Sequence, residues 1–302
     1  MPDHRFQTAA VIGLGLIGSS LAAAFQNKES VSRILGYDIC SDTVSEAEEV
    51  EFIDESYHSA CSRYPGLEEA DLIIISVPVR RIPEVLADIK ECVKKGAVIV
   101  DTGSCKGFIM EEARKILKSS PDIYFMGGHP VAGSEKCGIK SCDPGIFVGA
   151  DFILTPPSRH SPPENLSGEL RRILEITEFN VRFMSPQEHD RYMALISHLP
   201  QLVAYALAGA LQEEKDLCDL LEIAGDGFFD TTRIAASSPE LWKDIALSNR
   251  EEILHALDCF QSSLEQIKSA LKGDKSEELE ELFAGSARVR RKLGQIRREK
   301  NV

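Results

Sequence analysis

One histidine of this chain stands where it could take a proton from a bound molecule. His129 lies in the run 127–130 (Gly-Gly-His-Pro), directly after the apolar segment 123–126, which predicts a β-strand. A neutral imidazole changes its charge near pH 7 and is the most common general base in enzymes. We therefore predict a catalytic base at the carboxyl end of a strand, the edge at which open α/β sheets bind their ligands.

A glycine-rich loop near the amino terminus predicts that a dinucleotide cofactor binds beside such a base. The loop follows the apolar segment 9–12 and has the spacing of a dinucleotide-binding turn. Its glycines allow a tight turn, a close approach of the backbone to a pyrophosphate and close packing of the next helix, whose N–H groups face the phosphates. The predicted cofactor-binding residues of the loop are Gly13, Leu14, Gly15, Leu16, Ile17 and Gly18.

An acidic residue after the second predicted strand indicates which dinucleotide fits. Asp38 lies 20 residues beyond Gly18. A carboxylate at this distance accepts hydrogen bonds from the ribose hydroxyls and repels a 2′-phosphate. We therefore expect NAD rather than NADP, with Arg33 and Ser41 close enough in sequence to modulate that preference.

Two further predicted strands end in polar residues that would face the same edge. The run 76–78 follows one strand, and the run 101–106 follows the next. Ser104 is predicted to orient His129 by a hydrogen bond and to contact the cofactor. Lys106 is expected at the rim, where it either attracts carboxylates or is simply solvated. The predicted cofactor contacts at these ends are Ser76, Val77, Pro78, Thr102 and Ser104.

The carboxyl-terminal half adds two polar segments to the predicted site. Pro200 lies inside a long helical pattern and predicts a kink near Ser197, where side chains can face a cleft. The segment 225–233 predicts a tight polar interruption between helices. Its Arg233 is expected to clamp a carboxylate while Asp230 holds the guanidinium, or else the two form a structural ion pair.

The elements that would position these residues form an α/β Rossmann-type, doubly wound parallel sheet followed by an all-helical domain. Residues 1–185 alternate short apolar runs with helical patterns, which is typical of parallel strands with crossover helices. After residue 185 only helical patterns remain, one of them with an apolar stripe over 253–271. We predict an NAD-binding domain at 1–185 and a helical substrate and dimerisation domain at 186–302. The predicted strands are 9–12, 34–37, 72–76, 97–100, 123–126, 152–154 and 181–184.

Composition limits the partners and the location. The chain has 302 residues and a net charge of −14, which argues against nucleic acid and anionic membranes as partners. It has no signal-peptide pattern and no apolar run near the ~20 residues that span a bilayer, so a cytoplasmic protein is expected. The eight cysteines are scattered without a CxxC pair, which predicts free thiols and no metal site.

These motifs together resemble those of the prephenate/arogenate dehydrogenase family of tyrosine biosynthesis. The resemblance covers nearly the whole chain, and the motifs occur in the family's order. It implies a Rossmann domain, a helical domain that forms a homodimer, and NAD-dependent oxidative decarboxylation of prephenate to 4-hydroxyphenylpyruvate. The matching stretches are 13–20 (GLGLIGSS), 101–106 (DTGSCK), 128–136 (GHPVAGSEK), 197–200 (SHLP) and 230–235 (DTTRIA).

The resemblance also implies roles for single residues. His129 would accept the proton of the ring hydroxyl while hydride leaves the same carbon, and Arg233 would hold a substrate carboxylate. Glu135 would gate the site by pairing with Arg233. Tyrosine would inhibit at the active site itself, because no regulatory domain is expected after the last helix. The other implied substrate-binding residues are His198, Gln201, Asp226 and Asp230.

Two positions depart from the family pattern and leave the substrate open. Many members that use prephenate carry histidine where this chain has Gln201, and some carry glycine where it has Asp226. Glutamine keeps hydrogen bonding without a titratable charge, and an aspartate facing the pocket would attract the ammonium group of arogenate. An arogenate dehydrogenase, or a dual cyclohexadienyl dehydrogenase, that gives tyrosine directly is therefore the alternative.

Two other classes of protein fit the sequence less well. A β-hydroxyacid dehydrogenase also joins a Rossmann domain to a helical one, but it relies on a lysine in the interdomain helix, and the pattern 187–214 has none. A catalytically silent nucleotide sensor would keep the glycine loop and Asp38. Such a sensor has no use for His129 and Arg233 together.

Overall fold

The computed structural model describes residues 6–59, 64–133 and 138–300, with side chains to residue 298. Its strands are β1 (Thr8–Ile12), β2 (Arg33–Asp38), β3 (Glu55–His58), β4 (Leu72–Ile75), β5 (Val98–Asp101), β6 (Tyr124–Pro130), β7 (Asp151–Thr155) and β8 (Asn180–Phe183). Its α-helices are α1 (Leu16–Asn27), α2 (Ser41–Ala47), α3 (Ile82–Ile89), α4 (Gly107–Ile116), α5 (Glu164–Ile176), α6 (Pro186–Met193), α7 (Leu199–Gly209), α8 (Leu217–Glu222), α9 (Asp226–Thr232), α10 (Pro239–Ser248), α11 (Arg250–Lys272) and α12 (Ser276–Lys300).

The strands of the described residues form one eight-stranded sheet in the order β3-β2-β1-β4-β5-β6-β7-β8. Neighbouring strands from β3 to β6 are parallel, β6 and β7 are antiparallel, and β7 and β8 are parallel. The strand order reverses between β1 and β4, which is the switch point where such sheets bind ligands. The predicted doubly wound α/β fold is confirmed.

Helices cover both faces of the sheet, and this explains why its central strands are continuously apolar. All four residues of β4, Leu-Ile-Ile-Ile, are buried. One core cluster includes Leu21 and Phe25 of α1 with Leu170 of α5. The other includes Ile82 of α3 and Ile109 of α4. Each such side chain contributes about 1.5–3 kcal/mol to folding by leaving water.

Each predicted strand is present, and most of their ends lie within one residue of the predicted ones. The sequence does not predict β3, because this four-residue edge strand has the largely exposed sequence Glu-Ser-Tyr-His. Such a strand shows no apolar alternation, so its pairing with β2 decides its conformation rather than its own composition.

The strand that carries His129 is longer than the sequence predicts. Residues 124–126 pair in parallel with β5, and residues 127–130 continue as an antiparallel pair with β7, in which His129 lies opposite Ile153. The prediction that the strand ends at Met126 is therefore wrong, because β7 supplies a partner beyond that point. His129 lies inside a strand, past the carboxyl edge of the parallel sheet.

Pro200 interrupts the long helical pattern as predicted. The turn Ala194–His198 between α6 and α7 is π-helical. Proline has no N–H for the helical ladder and its ring displaces the preceding turn, so a local change of register is expected there. The π-helical turn contains Ser197 and ends on His198, so this irregular backbone presents the residues predicted for the site.

The segment 225–233 is not a loop, contrary to the sequence expectation. Residues 226–232 form α9, and Arg233–Ala236 form a short 3-10 helix. The side chains of Thr231 and Thr232 bond back to carbonyls four residues earlier, at 2.6 and 2.7 Å, and Asp226 in the first turn suits the helix dipole. The polar residues that resemble turn chemistry are therefore accommodated within a helix, with their hydroxyl groups bonded to its own carbonyls.

The backbone forms two compact units, Met1–Asn249 and Arg250–Val302. In the first unit α6 lies against α4 and β7, and α10 lies against the 3-10 helix Val79–Arg81, so these helices belong with the sheet. The second unit contains α11 and α12, which pack on each other. The functional boundary at 185/186 stays a prediction. In the part of the chain described, no helix combines the length and apolar character needed to cross a membrane.

Gly128→Ala is expected to destabilise the fold by about 1–3 kcal/mol, as overpacking does. The added Cβ would lie 2.4 Å from Asp101 O and 2.7 Å from a methyl of Val100. Thermal unfolding would measure the loss. Gly168→Ala in α5 is the matched control, since no atom lies within 4 Å of its added Cβ. An unchanged midpoint for Gly128→Ala would contradict the close approach of β6 to β5.

Candidate active site

The glycine loop closes tightly against a neighbouring strand end and stays open where a phosphate would lie. Gly13 has a φ of +96°, and a Cβ there would lie 2.3 Å from Ser76 O. A Cβ on Gly18 would lie 1.9 Å from Gly13 O, whereas nothing lies within 4 Å of one on Gly15. The open side faces the amino end of α1 and fits a pyrophosphate.

Asp38 is fixed beside this loop. Its Oδ2 accepts a hydrogen bond from the N–H of Leu14, and its Oδ1 accepts one from the N–H of Cys40, both at 2.9 Å. The residue is half-buried, and each carboxylate oxygen keeps a second lone pair. The carboxylate orients the loop and can still accept ribose hydroxyls, as a site for NAD requires.

The ends of β4 and β5 meet next to the loop. Thr102 Oγ1 donates to Ser76 Oγ at 3.1 Å, and a methyl of Val77 lies 2.9 Å from the position of a Cβ on Gly13. Pro78 is exposed beside them. The structure therefore brings these predicted cofactor contacts to one edge. The remaining loop residues turn their side chains wholly or partly into the protein: Leu14, Leu16 and Ile17.

His129 lies on the strand next to β5, and its side chain is buried. Its Nδ1 lies 2.8 Å from Nε2 of His189, and the two ring centroids are 5.0 Å apart. His189 Nδ1 lies 2.8 Å from Oδ1 of Asp190. Within the described ranges no residue hydrogen-bonds His129 Nε2, so this nitrogen is the atom left for a ligand.

Asp190 connects the histidine pair to the amino end of α4. Its Oδ1 also accepts the N–H of Lys106 at 2.7 Å, and its Oδ2 accepts the N–H of Gly107 at 2.8 Å. These N–H groups lie at the amino end of α4, where a carboxylate satisfies free donors and suits the helix dipole. One carboxylate therefore serves a helix terminus and an imidazole.

Ser104 does not orient His129 in this structure, which corrects the sequence expectation. Among the residues described, Ser104 makes no hydrogen bond to His129, and His189 occupies the place beside His129 Nδ1. Ser104 is half-buried in the turn between β5 and α4. It stays at the edge that faces the glycine loop, so its cofactor contact stays a prediction.

Lys106 is fully buried, and the expectation of a lysine at the rim is wrong. Its ammonium pairs with the carboxylate of Asp101 and donates to Gly128 O at 2.6 Å. Asp101 also accepts the N–H groups of Gly103 at 2.8 Å and Gly128 at 3.1 Å. The lysine can leave water because its charge is compensated, and the pair joins β5 to β6 just before His129.

The surroundings of His129 keep its imidazole neutral. Burial lowers the pKa of His129 well below its usual 6.5, and His189, Lys106 and His198 lower it further. Burial also lowers the pKa of His189, against the opposing effect of Asp190. Both rings are therefore neutral at pH 7, which is the state that a general base requires.

His198 is positioned by the same group of contacts. Asn249 Nδ2 donates to Asp190 O at 2.8 Å and lies 3.2 Å from His198 Nδ1. His198 Nε2 is buried without a hydrogen-bond partner in the described residues, beside the ring of Trp242. Burial lowers the pKa of His198 to about 4. A buried unpaired nitrogen is costly, and a substrate group would satisfy it.

The other predicted substrate residues lie on the helical segments. Gln201 on α7 is buried, and its Nε2 donates to Ile234 O at 2.6 Å, which ties α7 to the 3-10 helix that Arg233 begins. Arg233 is exposed. Glu135 lies outside the described residues. Two further candidates are exposed residues of α9: Asp226 and Asp230.

The sequence does not point to His189, Asp190 or Asn249 as parts of the site. Helix α6 reads Pro-Gln-Glu-His-Asp-Arg-Tyr-Met, a polar composition typical of a solvated helix, yet its buried residues are His189, Asp190 and Met193. The available signal is spacing. His189 precedes Met193 by four residues, which puts a titratable ring on the same helix face as a core residue.

Comparison with known proteins finds family models over both halves of the chain. One described as "Prephenate dehydrogenase, nucleotide-binding domain" matches residues 21–182, and one described as "Prephenate dehydrogenase, dimerization domain" matches residues 185–285. The prephenate dehydrogenase of Bacillus subtilis (strain 168) is 34% identical over 278 residues, which are 91% of this chain and 73% of that protein. The cyclohexadienyl dehydrogenase of Zymomonas mobilis is 32% identical over 295 residues, 94% of this chain and 95% of that protein.

A solved structure matches nearly the whole chain. The prephenate dehydrogenase from A. aeolicus, in complex with hydroxyphenyl propionate and NAD+, matches with a TM-score of 0.86 at 31% identity. The match covers 95% of this chain and 98% of that chain. Sequence and fold therefore point to the same relatives.

Lys106→Met is expected to destabilise the protein by about 3–5 kcal/mol, because it leaves the buried carboxylate of Asp101 without its partner. Urea unfolding would measure the loss. Lys95→Met is the control. Lys95 pairs with Asp122 at 2.9 Å on the surface with its side chain 87% exposed, so its loss is expected to leave the stability almost unchanged. Equal effects of the two substitutions would contradict the burial of the Lys106–Asp101 pair.

Proposed function

The chain belongs to the prephenate dehydrogenase family, and on that premise we propose that it catalyses NAD-dependent oxidative decarboxylation of prephenate to 4-hydroxyphenylpyruvate in tyrosine biosynthesis. One observation carries the proposal. A buried, neutral His129 lies next to the strand ends that adjoin the dinucleotide loop, and its Nε2 is the nitrogen left for a ligand. This is the group and the place that removal of an alcohol proton requires.

We propose that His129 Nε2 accepts the proton of the ring hydroxyl, so that an N–H bond forms as the O–H bond breaks. NAD, when bound, supplies the acceptor for the hydride that leaves the same carbon. The bond between the ring and its carboxylate then breaks, carbon dioxide leaves, and the electron pair aromatises the ring. The ring oxygen takes the proton back from His129 Nε2, which gives the phenol and restores the neutral imidazole. Because aromatisation drives this reaction, the protein has mainly to position the substrate and take one proton.

Two side chains are proposed to bind the substrate through its polar groups. Arg233 would hold a carboxylate, because its guanidinium offers two parallel N–H donors, and Asp230 would orient it from three residues earlier. His198 would meet the substrate through Nε2, the buried nitrogen that lacks a partner in the described residues. Gln201 supports both segments by tying α7 to the 3-10 helix of Arg233.

The residues of the glycine loop fit NAD. Gly15 leaves space beside the amino end of α1, whose first turn carries no acidic residue. Phosphate groups are favoured at such an end by its free N–H groups and positive dipole. Asp38 holds a carboxylate next to the loop, where it suits the hydroxyls of an unphosphorylated ribose.

Arogenate is the alternative substrate, and one observation favours it. The amide nitrogen of Gln201 already donates to Ile234 O, so its oxygen is the stronger candidate for a ligand contact. An oxygen acceptor suits the ammonium group of arogenate better than the carbonyl of prephenate. Asp226, exposed in the first turn of α9, would add a negative charge, which also attracts the ammonium group of arogenate.

We also propose that the protein acts as a homodimer in the cytoplasm. Support for the dimer comes from the dimerization-domain model over residues 185–285 and from the exposed Leu264 and Leu271 of the apolar stripe on α11. Support for the location comes from the free thiols of the described cysteines. Inhibition by tyrosine is proposed from the family resemblance and would compete at the active site.

A matrix of substrates and cofactors tests the function. Purified protein is expected to reduce NAD in the presence of prephenate, and to do so much faster than it reduces NADP. His129→Asn keeps a hydrogen-bonding side chain but removes the base, so kcat is expected to fall by about 100-fold or more. Absorbance of the reduced nicotinamide measures each rate.

The matching control is His255→Asn, which removes an exposed histidine of α11. It is expected to keep the rate of the unaltered protein. Activity with arogenate alone would replace prephenate by the alternative substrate. An unreduced rate in His129→Asn would remove this histidine from the chemistry.

The pH dependence of kcat/KM reports the free enzyme, and it is expected to be flat from about pH 8 to about pH 6.5. The pKa of His129 lies well below 6.5, so the ring stays neutral over that range and gains a proton only at lower pH. The rate therefore declines on the acid side alone. Each sample is returned to neutral pH to check that activity recovers. A decline with its midpoint at or above pH 6.5 would contradict the buried environment of His129.

A further inference from the structure

We propose that His189 and Asp190 are positioning residues that decide which ring nitrogen of His129 is free to act as the base. The inference rests on the proposed function, in which His129 takes the proton. Asp190 Oδ1, the ring of His189 and the ring of His129 form a chain with two contacts of 2.8 Å each. All three residues are buried, so water does not compete for these hydrogen bonds.

The chain begins at a group that accepts and does not donate. Asp190 takes the N–H groups of Lys106 and Gly107 as well as the contact from His189. A carboxylate has lone pairs and no proton to give. The proton in the contact with His189 must therefore sit on Nδ1 of His189.

The position of the proton on His189 then decides the direction of its hydrogen bond with His129. A neutral imidazole carries one proton, and His189 holds it on Nδ1, so its Nε2 is a lone pair that accepts. The 2.8 Å contact then requires Nδ1 of His129 to donate. The single proton of His129 is used there, and its Nε2 carries the basic lone pair.

The opposite polarity would require a cationic His189 that donates from both nitrogens. Burial opposes that charge, and the buried ammonium of Lys106 acts in the same direction, while Asp190 and Asp101 act against them. Burial is the largest of these effects and the pKa of His189 is lowered. The neutral chain is therefore the state that the surroundings favour.

Asn249 fixes which ring nitrogen of His198 carries the proton, and it is the opposite nitrogen from that of His129. The amide group of Asn249 has two protons, one directed to Asp190 O and one to His198 Nδ1. His198 Nδ1 thus accepts, and its proton lies on Nε2, the buried atom that lacks a partner in the described residues. The network presents an acceptor at His129 and a donor at His198.

This arrangement matters because a free imidazole prefers its proton on Nε2. Without His189, the ring of His129 would turn mainly to that form and present an N–H group where the base is needed. In the serine protease triad, loss of the correct tautomer costs about 10,000-fold in kcat, which shows the scale such an effect can reach.

The tautomers can be read directly from the nitrogen chemical shifts of protein labelled with ¹⁵N-histidine. In the unaltered protein without substrate, His129 is expected to show a protonated Nδ1 and an unprotonated Nε2, and His198 the reverse. The spectrum of His129→Asn assigns the first ring. A protonated Nε2 on His129 would overturn the proposal, whatever the enzyme's substrate.

Two substitutions of His189 test the functional consequence. His189→Leu removes the acceptor, so kcat for prephenate is expected to fall by at least about 10-fold with KM changed by less than about 3-fold. His189→Gln keeps an oxygen that can accept from His129 and an amide that can donate to Asp190. It is expected to recover most of kcat, which a purely space-filling role would not predict. His255→Leu, at an exposed position, is the control.

The outcomes separate this proposal from the function on which it rests. An unreduced kcat in a folded His189→Leu protein would overturn the positioning role. If His189→Leu fails to fold, the spectrum of the unaltered protein still decides the tautomer. If that spectrum is as expected but no rate is seen with prephenate or arogenate, the proposed function fails while the polarity of the chain stands.

Discussion

The carboxylate of Asp190 is the contact on which the geometry of the site depends. It accepts two N–H groups at the amino end of α4 at 2.7 and 2.8 Å and the imidazole of His189 at 2.8 Å. Hydrogen bonds to a charged group contribute about 1.5–3 kcal/mol each. His189 and Asp190 both lie on α6, so a shift of α6 against α4 would break the two N–H contacts. These two contacts therefore hold the helix that carries His189 against the amino end of α4.

The second constraint is electrostatic. The buried side chains of Lys106 and Asp101 form an ion pair, and the lysine also binds the carbonyl of Gly128 on β6, which places an ammonium near His129. The ammonium and the loss of water both lower the pKa of His129. A lower pKa weakens the base, but it also keeps the lone pair available at neutral pH. The same ion pair therefore joins two strands and adds to the effects of burial and of His189 that keep His129 neutral.

The features that follow from local sequence could be predicted, and those that depend on a distant partner could not. Glycine spacing and apolar runs predict the nucleotide loop and most of the strands, because their causes lie within a few residues. The extension of β6 to Pro130 needs β7 as a partner, and the burial of Lys106 needs the carbonyl of Gly128 on β6 as well as the nearby carboxylate of Asp101. His189 stays hidden in a polar helix, because its four-residue spacing from Met193 is too weak a signal to show which face is buried.

The residues proposed for the chemistry and those proposed for recognition lie in different surroundings. His129 and His189 are buried and hydrogen-bonded within a strand and a helix, whereas Arg233, Asp226 and Asp230 are exposed on short helical segments. Exposed residues can change without disturbing the base, because none of the contacts that orient His129 runs through them. Two relatives with different names, a prephenate dehydrogenase and a cyclohexadienyl dehydrogenase, resemble this chain about equally, at 34% and 32% identity. Under the proposed function, proton removal by the buried residues is common to both substrates, and the exposed segments are where selection between the substituents of the ring would act.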